Sequence, residues 1–177
     1  MKKSILNLAL VIALCFKAQA QAPLKVGENQ FNFGIGTSSW GLPIYVGFEH
    51  GIHEDISVGG ELSFRNYNYH YAILSRDYKT NVTIIGILAN GNYHFNRVLN
   101  IPSKWDLYAG LNAAFYLWNY SSSDGSNITF SSNQGTGIRI GTQLGVRYFL
   151  NNKWGINFEA GRGTSLSNGK LGLTFKL

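Results

Sequence analysis

From residue 30 to the end of the chain, apolar and polar side chains alternate with a period of two in eight separate runs. The runs are 30–37, 44–50, 56–67, 82–95, 105–118, 137–149, 154–162 and 170–177. Alternation at this period is the signature of β-strands with chemically distinct faces. Stretch 137–149, GIRIGTQLGVRYF, shows it most plainly: Ile138, Ile140, Thr142, Leu144, Val146 and Tyr148 form one row, and Gly137, Arg139, Gly141, Gln143, Gly145 and Arg147 the other. The fourth run is the least regular. Ile85, Ile87, Ala89, Tyr93 and Phe95 oppose Gly86, Leu88, Asn90, Asn92 and His94, and the adjacent pair Ile84–Ile85 suggests a β-bulge. No helical period of comparable strength appears after the first twenty-odd residues.

The connections alternate in length. GIHED and NNK are short, and NRVLNIPSK is somewhat longer; these three fall at one end of the sheet. The segments SSWGLP, NYNYHYAILSRDYKT, NYSSSDGSNITFSSNQ and GTSLSN fall at the other. An even number of strands in a meander, with turns at one end and longer loops at the other, predicts an all-β, eight-stranded, antiparallel up-and-down barrel that crosses a membrane.

Alternation does not by itself say which face is inside. A secreted, lipocalin-like barrel would turn its apolar rows inward around a ligand, and a membrane barrel would turn them outward. Three features favour the membrane. The polar face is rich in glycine with isolated charges of both signs, unlike a solvated sheet, and glycines suit a crowded, narrow lumen. Aromatics mark the ends of the apolar face: Tyr93, Phe95, Trp105, Tyr148 and Trp154 at the short-turn end, and Trp40, Tyr67 and Tyr120 near the other, where a bilayer interface would select them. The last run, LGLTFKL, ends in Leu177 with Phe175 two residues earlier, close to the terminal strand pattern read by the outer-membrane assembly machinery.

The N-terminus reads as an export signal over residues 1–20, with cleavage after Ala20 or Ala22 and a single domain over 21–177. Met1-Lys2-Lys3 is followed by an apolar run from Ile5 to Phe16 and by the small residues of KAQAQA. A lipoprotein signal ending at Cys15 is the rival, opposed by Leu14 where a small residue is wanted. Cleavage would remove the only cysteine, Cys15, and three lysines. Twelve bases would then face nine acids, so the formal charge falls from +6 to +3. This leaves no disulfide and no thiol chemistry, and no clustered basic patch for nucleic acid.

The inward row carries the candidate functional groups: Glu49, Glu61, Arg65, Asp106, Arg139, Arg147, Glu159, Lys170 and Lys176. In a side-chain-filled lumen an unpaired charge is costly, so these predict a structural ion-pair network. Pairing along neighbouring strands would put Glu49 and Glu61 near Arg65, and Arg139 and Arg147 near Asp106 and Glu159. His50, His53, Glu54 and Asp55 share a turn, but their spacing matches no standard zinc motif. No metal or other cofactor is expected, and His94 is expected in the lumen or at its rim. Serines of SSSDGS and SSNQ lack a nearby histidine, and His70 with Ser75 is the only loop pairing, so no nucleophile–base pair stands out. Tyr69, Tyr71, Arg76, Tyr78 and Lys79, with Tyr67, form a tyrosine-rich, basic loop suited to lipopolysaccharide phosphates or an unidentified surface partner.

The signal, the VGFEHGIHEDISVGGELSF hairpin, LYAGLNAAFY, WGINFEAGRG and the terminal strand together resemble the small eight-stranded outer-membrane β-barrel proteins of Gram-negative bacteria. The porin-like outer membrane protein beta-barrel families of Bacteroidetes are the most similar in flavour. The resemblance implies an integral outer-membrane protein with both termini in the periplasm and a structural or adhesive role. A narrow porin or transport-associated channel is the first alternative, and a lipid A-modifying enzyme the second.

Overall fold

The computed structural model describes residues 24–38, 41–73, 76–122, 136–163 and 168–177, without the side chains of 69–73, 76–80 and 120–122. The export signal, Trp40 and the serine-rich segment lie outside the described residues, as do the side chains of Tyr69, Tyr71, Arg76, Tyr78, Lys79 and Tyr120.

Eight strands follow one another in chain order: β1 (Asn29–Thr37), β2 (Ile44–His53), β3 (Ile56–Ile73), β4 (Arg76–His94), β5 (Trp105–Ser122), β6 (Gly137–Phe149), β7 (Trp154–Arg162) and β8 (Gly169–Lys176). Each pairs antiparallel with the next, and β8 closes on β1. Closure removes both sheet edges over the shared part of the wall.

The registers fix the tilt. Partners followed once round the wall run Trp105, Tyr148, Ile156, Leu173, Phe33, Val46, Leu62, Ile87 and back to β5 at Phe115. The return is ten residues further along the strand. With eight strands, that stagger tilts them by about 40° to the barrel axis. Every residue on this circuit is apolar or aromatic, and every one lies on the outer face.

The polarity is therefore inside out relative to a soluble barrel. Large apolar side chains stand exposed on the outside, including Phe31, Val46, Leu62, Ile87, Leu111, Ile140, Leu144, Phe158 and Leu173. Glu49, Arg65, Asn92, His94, Asp106, Arg147, Asn157 and Thr174 are buried within. This excludes the lipocalin-like arrangement, whose apolar rows would face inward. At the short-turn end Trp105 stacks obliquely on Tyr148 at 4.7 Å, Trp154 on Phe175 at 4.7 Å, and Tyr93 meets Phe95 edge-on at 5.1 Å. Amphipathic rings in this position match a membrane interface.

Three expectations are corrected. The segment 66–80 is not a loop but the far half of the β3–β4 hairpin, paired without interruption from Ile56–Tyr93 to Ile73–Arg76. β4 carries no bulge at Ile84–Ile85; Ile84 faces the lumen and Ile85 the outside, in continuous register with β3 and β5. The register shift lies instead in β2, between Gly51 and His53. Tyr67 is not an outward interfacial ring. It shares the parity of inward Ser63 and Arg65, and its Cβ lies 3.5 Å from where a Cβ on Gly41 would stand.

Candidate functional site: the charged lumen

The inward residues gather into layers. At the short-turn end the hub is Glu49 of β2. Its Oε2 accepts from Gln30 Nε2 (2.8 Å), Asn32 Nδ2 (3.2 Å) and Arg147 Nη2 (2.6 Å). Its Oε1 accepts from Ser57 Oγ (2.5 Å) and Asn92 Nδ2 (3.0 Å). Arg147 reaches Asp106 Oδ2 with its other terminal nitrogen at 2.9 Å. His94 fills the remaining corner, with Nδ1 2.7 Å from Asp106 Oδ1 and Nε2 2.8 Å from Ser57 Oγ. A carboxylate sealed from water can stay charged only where donors replace its hydration; Glu49 has five.

A second cluster lies further along the lumen. Lys170 Nζ sits between Glu61 Oε2 (2.8 Å) and Glu159 Oε1 (2.9 Å). Lys170 and Glu159 are direct cross-strand partners of β8 and β7, whereas Glu61 reaches over from β3. Tyr108 links the two clusters. Its ring lies under the Arg147 guanidinium, 4.0 Å from centroid to Cζ, and its hydroxyl donates to Glu159 Oε2 at 2.9 Å. That geometry combines a cation–π contact with a charge-assisted hydrogen bond. Tyr45 closes the other side, donating to Asn157 Oδ1 at 3.0 Å. A row of neutral donors then runs back through Asn157, Thr174 and Asn32 to Glu49.

Glycine makes room for these rings. A Cβ on Gly145 would lie 2.1 Å from Tyr108 Cζ, and one on Gly172 would lie 2.4 Å from the Tyr45 hydroxyl. Towards the loop end the lumen turns apolar: Val82, Ile84, Leu88, Ala114 and Tyr116 form a buried cluster, with Trp118 packed against it. At the short-turn end Leu24 and Phe149 are buried, and the Lys176 ammonium sits 4.5 Å from the Phe149 ring centroid. The backbone of Gly27 and Glu28 exchanges hydrogen bonds with Gly51, continuing the β1–β2 ladder, and Leu24 and Lys25 lie against the inward side of Gly51.

One expected neighbouring-strand pairing holds, Arg147 with Asp106 at 2.9 Å, whereas Glu49 and Glu61 find their partners across the lumen. Glu49 meets Arg147, not Arg65, and Glu61 meets Lys170. Glu159 serves Lys170 and Tyr108 rather than Arg147. An eight-stranded barrel is narrow enough for long side chains of opposite walls to touch. Arg65 is buried higher up and donates to Ser38 Oγ at 2.6 Å. Arg139 is half-buried opposite Ala114, near the loop end. Gln30, Asn32, Ser57, Asn92, His94 and Tyr108 are network members that charge alone does not reveal. Inward parity is the signal that their sequence positions carry.

Ser57, His94 and Asp106 lie in the order of an acyl-transfer triad. Ser57 Oγ, however, faces Glu49 at 2.5 Å and is shut inside the barrel, so its oxygen addresses a carboxylate rather than a substrate. The histidine-rich turn is dispersed as well. His50 Nδ1 pairs with Asn29 Oδ1 (2.7 Å), while Asp55 is gripped by Arg97, whose Nε donates to Oδ1 at 3.1 Å. This hydrogen bond holds the Asp55 carboxyl below the usual carboxylate range.

No protein-family model matches the chain, and no curated protein sequence does. Solved structures do. The outer membrane protein OprG of Pseudomonas aeruginosa superposes with a TM-score of 0.64 at 12% identity, covering 91% of this chain and 99% of its own. Neisserial surface protein A gives a TM-score of 0.48 at 15% identity, over 85% and 94% of the two chains. Yersinia pestis Ail gives 0.46 at 14%, over 85% and 99%. At 12% identity the likeness to OprG is one of fold, and it agrees with the closed eight-stranded wall, apolar outside and charged within: the chain has the fold of an eight-stranded outer-membrane β-barrel.

Proposed function

We propose that the protein is a non-conducting barrel that presents its loop-end hairpins at the bacterial surface, in a structural or adhesive role. The observation that carries this reading is a change of polarity along one hairpin. On β3 the outward face is apolar from Ile56 to Phe64, then becomes Asn66 and Asn68. On β4 and β5 it becomes Thr83, Asn81 and Asn119. β2 ends opposite Phe64, while β3 runs on to Ile73. Eight residues of strand beyond the lipid band add about 26 Å of length. That is a projecting, polar platform above a lumen packed with side chains.

Tyr69, Tyr71, Arg76, Tyr78 and Lys79 lie on this projection and are the proposed contact residues. Arg162, exposed on the outer face where β7 ends, would meet a lipopolysaccharide phosphate. The terminal strand β8 would supply the contact for the assembly machinery. Nucleic acid has no place in this reading.

The test has two arms. Purified barrel in planar bilayers should give no stepwise conductance, and steady open-channel steps would favour the narrow-channel alternative. Replacing residues 67–80 with a two-residue turn should leave a heat-modifiable, membrane-inserted barrel. Cells carrying it should lose attachment to immobilised lipopolysaccharide or to an epithelial layer. Undiminished attachment on both would rule out the adhesive role.

A further inference from the structure

A cavity of about 20 Å³ lies between the two ion clusters, lined among others by Glu49, Glu61, Asn90, Tyr108, Arg147 and Lys170. Three polar atoms of its lining residues are sealed from solvent and make no hydrogen bond with a described residue: Glu61 Oε1, Asn90 Oδ1 and the Arg147 Nε–H. Buried polar atoms left in that state are costly, and two acceptors and one donor on residues lining one small space make a specific demand. The space exceeds the roughly 10–15 Å³ that one water needs.

We propose that this cavity is the binding site of a single long-lived water molecule that joins the two ion clusters. The water accepts from Arg147 Nε–H and donates to Glu61 Oε1 and Asn90 Oδ1, which gives it the three bonds typical of a buried water. Charge selects water over an ion. A cation would have to face the Arg147 guanidinium and the Lys170 ammonium, and an anion would face Glu49, Glu61 and Glu159. Only a neutral group able to donate twice and accept once matches all three atoms. The bridge completes the coordination of Glu61, whose other oxygen is held by Lys170 at 2.8 Å. It also engages the one Arg147 nitrogen that Glu49 and Asp106 leave over.

Gly47 offers a way to fill the site from the wall. It lines the cavity, and a Cβ there would stand in tight contact with the Gly60 carbonyl oxygen at 3.3 Å and 3.6 Å from Glu61 Cβ; the hydroxyl of Gly47→Ser is expected to take the water's place. The experiment is NMR on the full refolded barrel in micelles, with nitrogen-15 arginine. The Arg147 Nε–H resonance is assigned by its loss in Arg147→Lys. The wild type should show a cross-peak from water to that proton, with the sign of a contact lasting longer than nanoseconds. Gly47→Ser, and separately Asn90→Leu, should abolish it while the barrel stays heat-modifiable. Absence of the cross-peak in the wild type overturns the proposal, whatever the variants do. So does its persistence at full intensity in a folded Gly47→Ser barrel.

Discussion

Replacing Glu49 with glutamine should be the most damaging isosteric change in this barrel. The substitution keeps volume and removes one negative charge. It also places an amide NH₂ where an oxygen accepted. In one orientation the amide nitrogen opposes Asn92 Nδ2 and the Ser57 hydroxyl; in the other it opposes Gln30, Asn32 and Arg147. The hydroxyl can rotate away, so the first orientation is the less costly. Even then one donor is stranded and Arg147 is left with Asp106 as its single counter-ion. Removing one partner of a buried pair costs about 3–5 kcal/mol. The exposed contact of Arg97 with Glu54 at the short-turn end belongs to a class worth roughly 0–1 kcal/mol. The assay is urea unfolding of the refolded barrel in lipid vesicles, followed by tryptophan fluorescence and by gel mobility. The midpoint should fall by the equivalent of at least ~3 kcal/mol with an unchanged slope. A double-mutant cycle with Arg147→Met should show the two changes costing at least ~2 kcal/mol less together than in sum. A loss under ~1 kcal/mol, or simple additivity, would refute the view that Glu49 is the hub holding the lumen charges.

Further outcomes follow from the same geometry. Gly145→Ala should destabilise the barrel by about 1–3 kcal/mol in the urea assay, because its methyl would displace the Tyr108 ring from Arg147 and Glu159; an unchanged midpoint would contradict that packing. Ile84→Ala should cost about 2–4 kcal/mol and its lipid-facing neighbour Ile85→Ala clearly less, since Ile84 is wholly buried in the lumen. Asp55 should make the short-turn end acid-sensitive. Its folded carboxyl is held down by Arg97, so its stabilisation is complete above the ordinary carboxylate range and is lost as pH falls through the depressed folded value. Acid unfolding of Asp55→Asn should show a weaker dependence on pH below about 4 than the wild type, and an identical profile would count against the pair.

The wall of this barrel is legible from period two alone, because lipid on one side and a polar lumen on the other impose alternation wherever both are present. β6 and β7 accordingly occupy the same residues as their sequence runs. Where one condition lapses, the signal fades. Beyond Phe64 the outward residues become Asn66 and Asn68, which breaks the contrast, and the hairpin reads as a loop although its backbone pairing continues. Along the loop-end half of β4 the lumen itself is apolar, so Ile84 beside Ile85 imitates a bulge. The partners of the charges are hidden for a different reason. Alternation says that Glu49 and Arg147 point inward, but not that β2 faces β6 across the lumen; that follows only from closure with a stagger of ten residues. Parity puts His94 in or beside the lumen, whereas its grip on Asp106 depends on the last residue of β4 and the second of β5 meeting across a turn.

One polarity, lipid outside and charge within, governs the whole barrel, and it can be measured directly. In a Cys15→Ser background no cysteine remains, so single cysteines at Leu62, Ile87 and Ile140 can be labelled with a small environment-sensitive fluorophore and compared with ones at Ser63, Gly86 and Gly141. In vesicles containing brominated acyl chains, the first three should be strongly quenched and the second three weakly or not at all. Equal quenching, or the reverse order, would contradict the account.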